Sequence, residues 1–192
     1  MKKLMLVILS LVLVQSLAFA DSYAVKADAS EVKWTATKVV GKHFGRINVA
    51  SGTIEFTDGQ LLGGEATIDT TTLTVDDLQG GGKEKLTKHL KNADFFDVVS
   101  FPTAFIKITE VKPAGENLYD VMADLTIKNI TKPVNFQANV VKGESGVIAT
   151  ASITIDRTAY DIRYGSGKFF ENLGDKTIHD TFTLDVSVTA VQ

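Results

Sequence analysis

Residues 80–102 read GGGKEKLTKHLKNADFFDVVSFP, and they are the one stretch after residue 20 that abandons a two-residue rhythm. Leu86, His89, Leu90 and Ala93 recur at intervals of three and four, a spacing that stacks side chains on one face of a helix. Lys83, Lys85, Lys88 and Lys91 fall mostly on the other faces. Three glycines precede this helix and Asp94-Phe95-Phe96-Asp97 follows it. Two adjacent aromatics cannot both occupy one buried helical stripe, so one of Phe95 and Phe96 is expected to plug inward and the other to pack on a rim.

Working outward from the helix, both flanks read as β-strand. Upstream, Thr70 to Val75 is β-branched and extended. Leu62, Gly64, Ala66 and Ile68 share one face of a strand, Asp58-Gly59 is a turn signal, and Asn48 to Thr57 is the strand before it. Gly41 to Gly45 reads as a bend, Glu31 to Val39 as a strand, and Ser22 to Val25 as a short first one. Downstream, Ala104, Ile106 and Ile108 alternate, as do Val121 to Ile127, Val134 to Val140, Val147 to Ile155 and Phe182 to Ala190. The pattern predicts an all-β, single-domain fold: about eight antiparallel strands, apolar on one face, with one helical insert. Such sheets stack as sandwiches or close into barrels, and closure removes exposed edges.

The apolar face is rich in small residues: Ala36, Gly64, Ala66, Ala104, Ala123, Ala138, Ala149, Ala151 and Ala190. Small inward residues on many strands leave volume, and empty volume costs stability. Two readings stand side by side. Either Trp34, Phe56, Phe136 and Phe182 fill the space, or an apolar ligand does.

Residues 1–20 carry a basic start at Lys2 and Lys3, an apolar run from Leu4 to Leu17, and Ala18-Phe19-Ala20. This is the form of a cleavable secretory leader, and it makes residues 21–192 the mature domain. Localisation is then periplasmic or secreted. The 192-residue sequence has no cysteine, which excludes disulfides and thiolate-bound zinc. Without Lys2 and Lys3 it holds 18 basic against 23 acidic residues, a net charge of −5, which argues against a nucleic-acid partner.

The pattern yields no enzyme and no cofactor site. Gly80-Gly81-Gly82-Lys83 and Gly165-Ser166-Gly167-Lys168 both lack the Ser or Thr that a phosphate loop needs after its lysine and read as mobile loops. His43, His89 and His179 are scattered, and no pair has metal-helix spacing. His43, beside Phe44 in the glycine-bounded bend, faces either a cavity mouth or solvent. Arg157, followed by Tyr160, is the natural partner of a phosphate or carboxylate head or of the local aspartates.

Several segments taken in order are distinctive: Val32-Lys33-Trp34, His43-Phe44-Gly45, Ser51-Gly52-Thr53-Ile54, residues 90–97 with Phe101-Pro102, residues 125–134, and Asp156-Arg157-Thr158-Ala159-Tyr160. In this order they resemble the YceI-like family of exported polyisoprenoid-binding proteins. The resemblance implies a lipocalin-like, eight-stranded antiparallel barrel, no catalysis, and a long-chain lipid (an isoprenoid, a quinone tail or a fatty amide) in its lumen. The tail is expected among Trp34, Phe56, Phe105, Phe136 and Phe182, with Phe95 and Phe96 as plug, the head near His43, Arg157 or Tyr160, and Phe44 as a further ligand-binding residue. Segment 161–176 departs from the family pattern by adding Tyr164 and Phe169-Phe170. A homodimer stays open, as does a rival reading: a fully packed barrel whose lysine-rich helix is a docking face.

Overall fold

The computed structural model describes residues 20–192; the leader expected over residues 1–20 lies, but for Ala20, outside them. Nine strands follow: β1 (Asp21–Val25), β2 (Glu31–Lys38), β3 (Lys42–Thr57), β4 (Gln60–Asp69), β5 (Thr103–Pro113), β6 (Leu118–Ile127), β7 (Ile130–Gly143), β8 (Gly146–Asp156) and β9 (Ile178–Val191). One helix, α1 (Gly80–Lys91), stands between β4 and β5. All pairings are antiparallel and run β3-β2-β9-β8-β7-β6-β5-β4, and β4 returns to pair with β3. The sheet therefore closes. β1 and β2 occupy one slot between β3 and β9: Ala24 faces Thr53 and Val191, and Val32 faces Ile47 and Val186. A 3₁₀ turn at Ala27–Ala29 interrupts them. Nine segments thus build the eight-stranded barrel that the family resemblance implies, with the strands that the alternation predicts.

The two ends of the barrel differ. At one end short hairpin turns join the strands, and Asp58, Gly59, Asn117 and Gly146 supply the positive φ that tight turns need. Tyr23, Ile54, Phe56, Leu61, Val121, Val140 and Val147 pack there as one apolar cluster. At the other end lie both long connections, 70–102 with α1 and 157–177. A second cluster joins Trp34, Leu73, Val75, Leu90, Phe95, Ile155 and Ile162 there. We refer to these as the hairpin end and the insert end.

Four local expectations change. β3 is one 16-residue strand from Lys42, not a bend followed by a strand from Asn48. The glycine that suggested a bend, Gly45, lies in the strand opposite Trp34, where a Cβ would collide with the Thr74 carbonyl. The three glycines form the first turn of α1 and do not precede it. A register shift between Glu55 and Phe56 turns Leu61 inward and leaves Leu62 exposed. Thr70–Thr72 is a 3₁₀ turn capped by the Asp69 carboxylate, which accepts from Thr71 N, where extended chain was expected.

Candidate functional site

Alternation turns one side chain in two toward the barrel axis, and the inward set is dominated by Ala and branched aliphatics. Ala36, Gly64, Ala66, Ala104, Ala138, Ala149 and Ala151 all line a central cavity of about 250 Å³. Ala123 and Ala190 are fully buried but are not among its walls. The cavity runs from Ile54, Leu61 and Val121 at the hairpin end to Leu90, Phe95 and Phe96 under the insert. An apolar cavity of about 150 Å³ stays dry and takes benzene; drug-sized sites begin near ~300 Å³. The void is of ligand scale even with the wall aromatics in place.

Those aromatics divide. Trp34, Phe136 and Phe182 stand in the cavity wall. Phe56 does not; it is buried at the hairpin end, edge-on to Tyr23 at 5.7 Å, and forms the floor. Phe105 alternates away from Ala104 and Ile106 and lies outside the cavity.

At the insert end α1 buries Leu90 and partly buries Leu86. The chain then reverses: Phe96 N donates to Leu90 O at 3.1 Å, Val98 N donates to Lys91 O at 3.1 Å, and Asp97 adopts φ 45°. This non-helical turn lets both adjacent phenylalanines face the cavity, where the sequence suggested only one. Phe95 and Tyr164 both pack edge-on to His89, at 4.9 and 4.5 Å. Phe96 meets Phe182 edge-on at 6.3 Å. Lys91 Nζ donates to Thr71 O at 2.6 Å and moors the helix to the barrel rim.

Residues 72–77 form a strap along the first half of β3, the part that β4 does not cover. Thr74 N donates to Arg46 O at 2.9 Å, and Asp76 N donates to Phe44 O at 2.8 Å. Trp34 Nε1 donates to Thr74 O at 2.9 Å across Gly45. His43 Nδ1 lies 2.7 Å from Asp77 Oδ2, and Phe44 N donates to Asp77 Oδ1 at 3.0 Å. Burial raises the Asp77 carboxyl, but the Phe44 amide and His43 together outweigh it and hold the group below its ordinary value. His43 is thus tied to the strap, and neither it nor Phe44 lines the cavity; Phe44 is exposed on the outer wall.

Arg157 lines the insert end of the cavity yet is almost fully buried. Its Nε donates to His179 O at 3.0 Å, Nη1 to Ile162 O at 2.8 Å and Tyr164 O at 2.9 Å, and Nη2 to Ile178 O at 3.0 Å. Four of the five guanidinium N–H groups are therefore used, two within loop 157–177 and two on β9, and together they clamp the loop to the barrel. Tyr160 is buried beside the cavity and does not line it; its hydroxyl has no partner among the described residues, and burial pushes its pKa up to about 12. The other polar residues of the wall at this end are satisfied too: Thr70 Oγ1 donates to Phe101 O at 2.7 Å, and His179 Nδ1 lies 2.7 Å from Thr37 Oγ1. Sequence reasoning missed Thr74 and Asp77. The alternation of Leu73 and Val75 hints at the strap, but nothing local marks Thr74 as an acceptor.

Among the described residues no three His, Asp or Glu side chains gather as a metal site requires. A family model described as a YceI-like domain matches residues 23–190. A UPF0312 protein of Pseudomonas putida is 37% identical over 91 residues, 45% of this chain and 47% of that protein. One from Vibrio vulnificus is 30% identical over 97 residues, 50% of this chain and 49% of that protein. The chain spans about half the length of these curated relatives. Among solved structures, Burkholderia cenocepacia BcnA superposes with a TM-score of 0.67 at 19% identity over 87% of this chain and 99% of its own. A polyisoprenoid binding domain from Saccharophagus degradans gives 0.63 at 13% identity, covering 88% and 97%. At these identities the likeness concerns the fold.

Proposed function

Because the chain belongs to the YceI-like domain family, we propose that it is a non-catalytic binder of a long-chain amphipathic lipid such as an isoprenoid, a quinone tail or a fatty amide. The ligand's apolar chain lies in the barrel lumen. The observation that carries this reading is the cavity of about 250 Å³ walled by alanines and aliphatics. Small inward residues on β2, β4, β5, β7 and β8 keep open a space that larger ones would fill at a gain in stability. The polyisoprenoid-binding domain of Saccharophagus degradans, which shares the fold, points to the same ligand class.

The polar groups at the insert end refine the picture. Arg157, Thr70 and His179 already have protein partners, so the lumen offers the tail a dry tube and leaves the head at the mouth. Burial of apolar surface, at about 25 cal/mol per Å² less the cost of ordering the chain, supplies the affinity. Selection is then by length and apolarity. The leader-like residues 1–20 fit a site of action outside the cytoplasm, in the periplasm or medium. The rival reading, a fully packed barrel serving as a docking protein, has the open lumen against it.

Organic extraction of protein purified from its own host, followed by mass spectrometry, tests the reading directly. A stoichiometric long-chain lipid is expected. A paired variant, Ala66→Leu with Ala151→Leu, fills the lumen from two strands and should abolish uptake of a fluorescent prenyl probe while the fold persists. Recovery of no lipid, together with equal probe signals from both proteins, would sink the proposal.

A further inference from the structure

The four exposed aromatic residues among the described ones all lie at the insert end: Phe44, Tyr164, Phe169 and Phe170, each 41–48% exposed. Val39 and Val40 join them at 53% and 60%. Exposed apolar residues elsewhere on the barrel, such as Leu62, Met122 and Ile148, are aliphatic and sit on strand outer walls. Phe44 stands on the outer wall of β3; Val39, Val40 and the loop that carries Tyr164, Phe169 and Phe170 are joined. Val39 N donates to Thr177 O at 3.1 Å, and the next residue, Ile178, donates its N–H to Gly165 O at 2.8 Å. The valine tip and the aromatic loop are thus stitched together.

The phenylalanines are not on a slack loop, as the glycines around them suggested. Phe169 N and Phe170 N both donate to the carbonyl of the fully buried Ser166, at 3.1 and 3.0 Å. The Arg163 guanidinium lies 4.9 Å from the Phe169 ring centre. An ordered turn therefore presents two adjacent phenylalanines to solvent, against the usual drive to bury them.

Charge sorts the same way. Segments 38–42, 70–102, 128–129 and 156–180, which make up the insert end, hold 11 Lys and Arg against 10 Asp and Glu, a net +1. The rest of the sequence holds 9 against 13, a net −4. The tip itself reads Lys38-Val39-Val40-Gly41-Lys42: two exposed aliphatics between lysines whose long stems can reach outward from an apolar layer.

From this geometry we infer that the insert end is a membrane-docking surface that sets the mouth of the lumen against an anionic bilayer. The occupant is a lipid interface. Exposed aromatics and aliphatics insert at the headgroup boundary, and surrounding lysines meet anionic headgroups. The inference rests on the lipid-binding reading for its purpose: a docked mouth lets an apolar chain pass between bilayer and lumen without crossing water.

The test uses co-sedimentation with vesicles of phosphatidylcholine alone and of phosphatidylcholine mixed with phosphatidylglycerol. Wild-type protein should sediment with the mixed vesicles and be released by salt. The variant Val39→Ser, Val40→Ser, Phe169→Ser, Phe170→Ser changes only exposed side chains and should bind them at least about tenfold more weakly. Its affinity for a dansyl-labelled prenyl alcohol, measured without vesicles, should be unchanged. Equal sedimentation of both proteins, or none with either, overturns docking while an intact prenyl affinity preserves the lipid-binding reading. Vesicle binding without any prenyl affinity does the reverse. A dimer that the same substitutions dissolve, with no vesicle binding, overturns docking in favour of a second copy.

Discussion

The two ends of this barrel are built on different principles. The hairpin end is closed by the strands themselves: Phe56, Tyr23, Val121 and Val147 are inward strand residues packed among one another. The insert end is closed by chain outside the sheet, whose Leu73, Val75, Leu90, Phe95 and Ile162 pack on inward strand residues and which polar ties anchor: Trp34 to Thr74, Lys91 to Thr71, His43 to Asp77, and Arg157 to four carbonyls. An apolar strand cluster opens only when the sheet does. A segment outside the sheet ladder can open locally, at a free energy below that of global unfolding. The difference teaches where a ligand can enter: the floor is part of the fold, and the roof is attached to it.

The largest expected effect tests this contrast directly. Phe56→Ala deletes a ring that is 1% exposed and should cost about 3–5 kcal/mol of global stability, read as a shift of the urea midpoint. Phe95→Ala, equally a buried phenylalanine, should cost the barrel less, because α1 opens first and removes its contacts from the account. Hydrogen exchange should show α1 amides losing protection while those of β6 and β7 keep theirs. Equal global losses in the two variants would break the distinction.

Gly45→Ala comes next. The new Cβ would meet the Thr74 carbonyl and the Trp34 indole, so the strap must move and the Trp34 Nε1–Thr74 O bond must lengthen. Overpacking of this kind costs about 1–3 kcal/mol, here expected at the insert end. Gly63→Ala, where a Cβ meets nothing within 4 Å, is the control and should stay close to wild type in thermal denaturation.

These residues also mark how far the sequence could be read. Alternation identified the strands and the inward alanines because a two-residue period is a local property of the chain. It placed Trp34, Phe136 and Phe182 in the lumen wall for the same reason, and Phe105 failed on its own parity. The roles of His43, Arg157 and Gly45 were not legible. Each is set by a partner remote in sequence: Asp77, the carbonyls of residues 162–179, and Thr74. A glycine that admits a carbonyl looks the same in sequence as one that makes a turn. An arginine saturated by backbone oxygens looks the same as one waiting for a phosphate.

A smaller effect is expected from Tyr160→Phe. The phenol is buried with no partner for its hydroxyl among the described residues, so removing the oxygen should leave the protein as stable or more stable by about 1 kcal/mol. Burial raises the phenol from 10.0 to about 12. The stability linked to it is therefore fully present below pH 10 and is lost as pH rises toward 12. Tyr160→Phe should remove that alkaline loss in a denaturant titration. Persistence of the same loss in the variant would assign it to another group.

The smallest effect concerns acid. Asp77 and Asp156 both lie at the insert end with carboxyls below the ordinary 3.8. For Asp156, too, burial acts upward and is outweighed, by the Thr158 hydroxyl and amide and by Lys168. A depressed carboxyl contributes stability above its unfolded value and loses it as pH falls through the lower folded one. Acid should therefore loosen the insert end first, below about pH 4. The chain offers a local probe, because its one tryptophan is Trp34, bonded to the strap at Thr74. Its emission should change on acidification before far-ultraviolet dichroism reports loss of the sheet. Asp77→Asn keeps the size of the side chain and removes the titration, so the early emission change should shrink, and the remainder should follow Asp156. Coincident fluorescence and dichroism transitions in the wild type would mean that roof and barrel unfold as one body, and the separation of the two ends would fail at its most sensitive point.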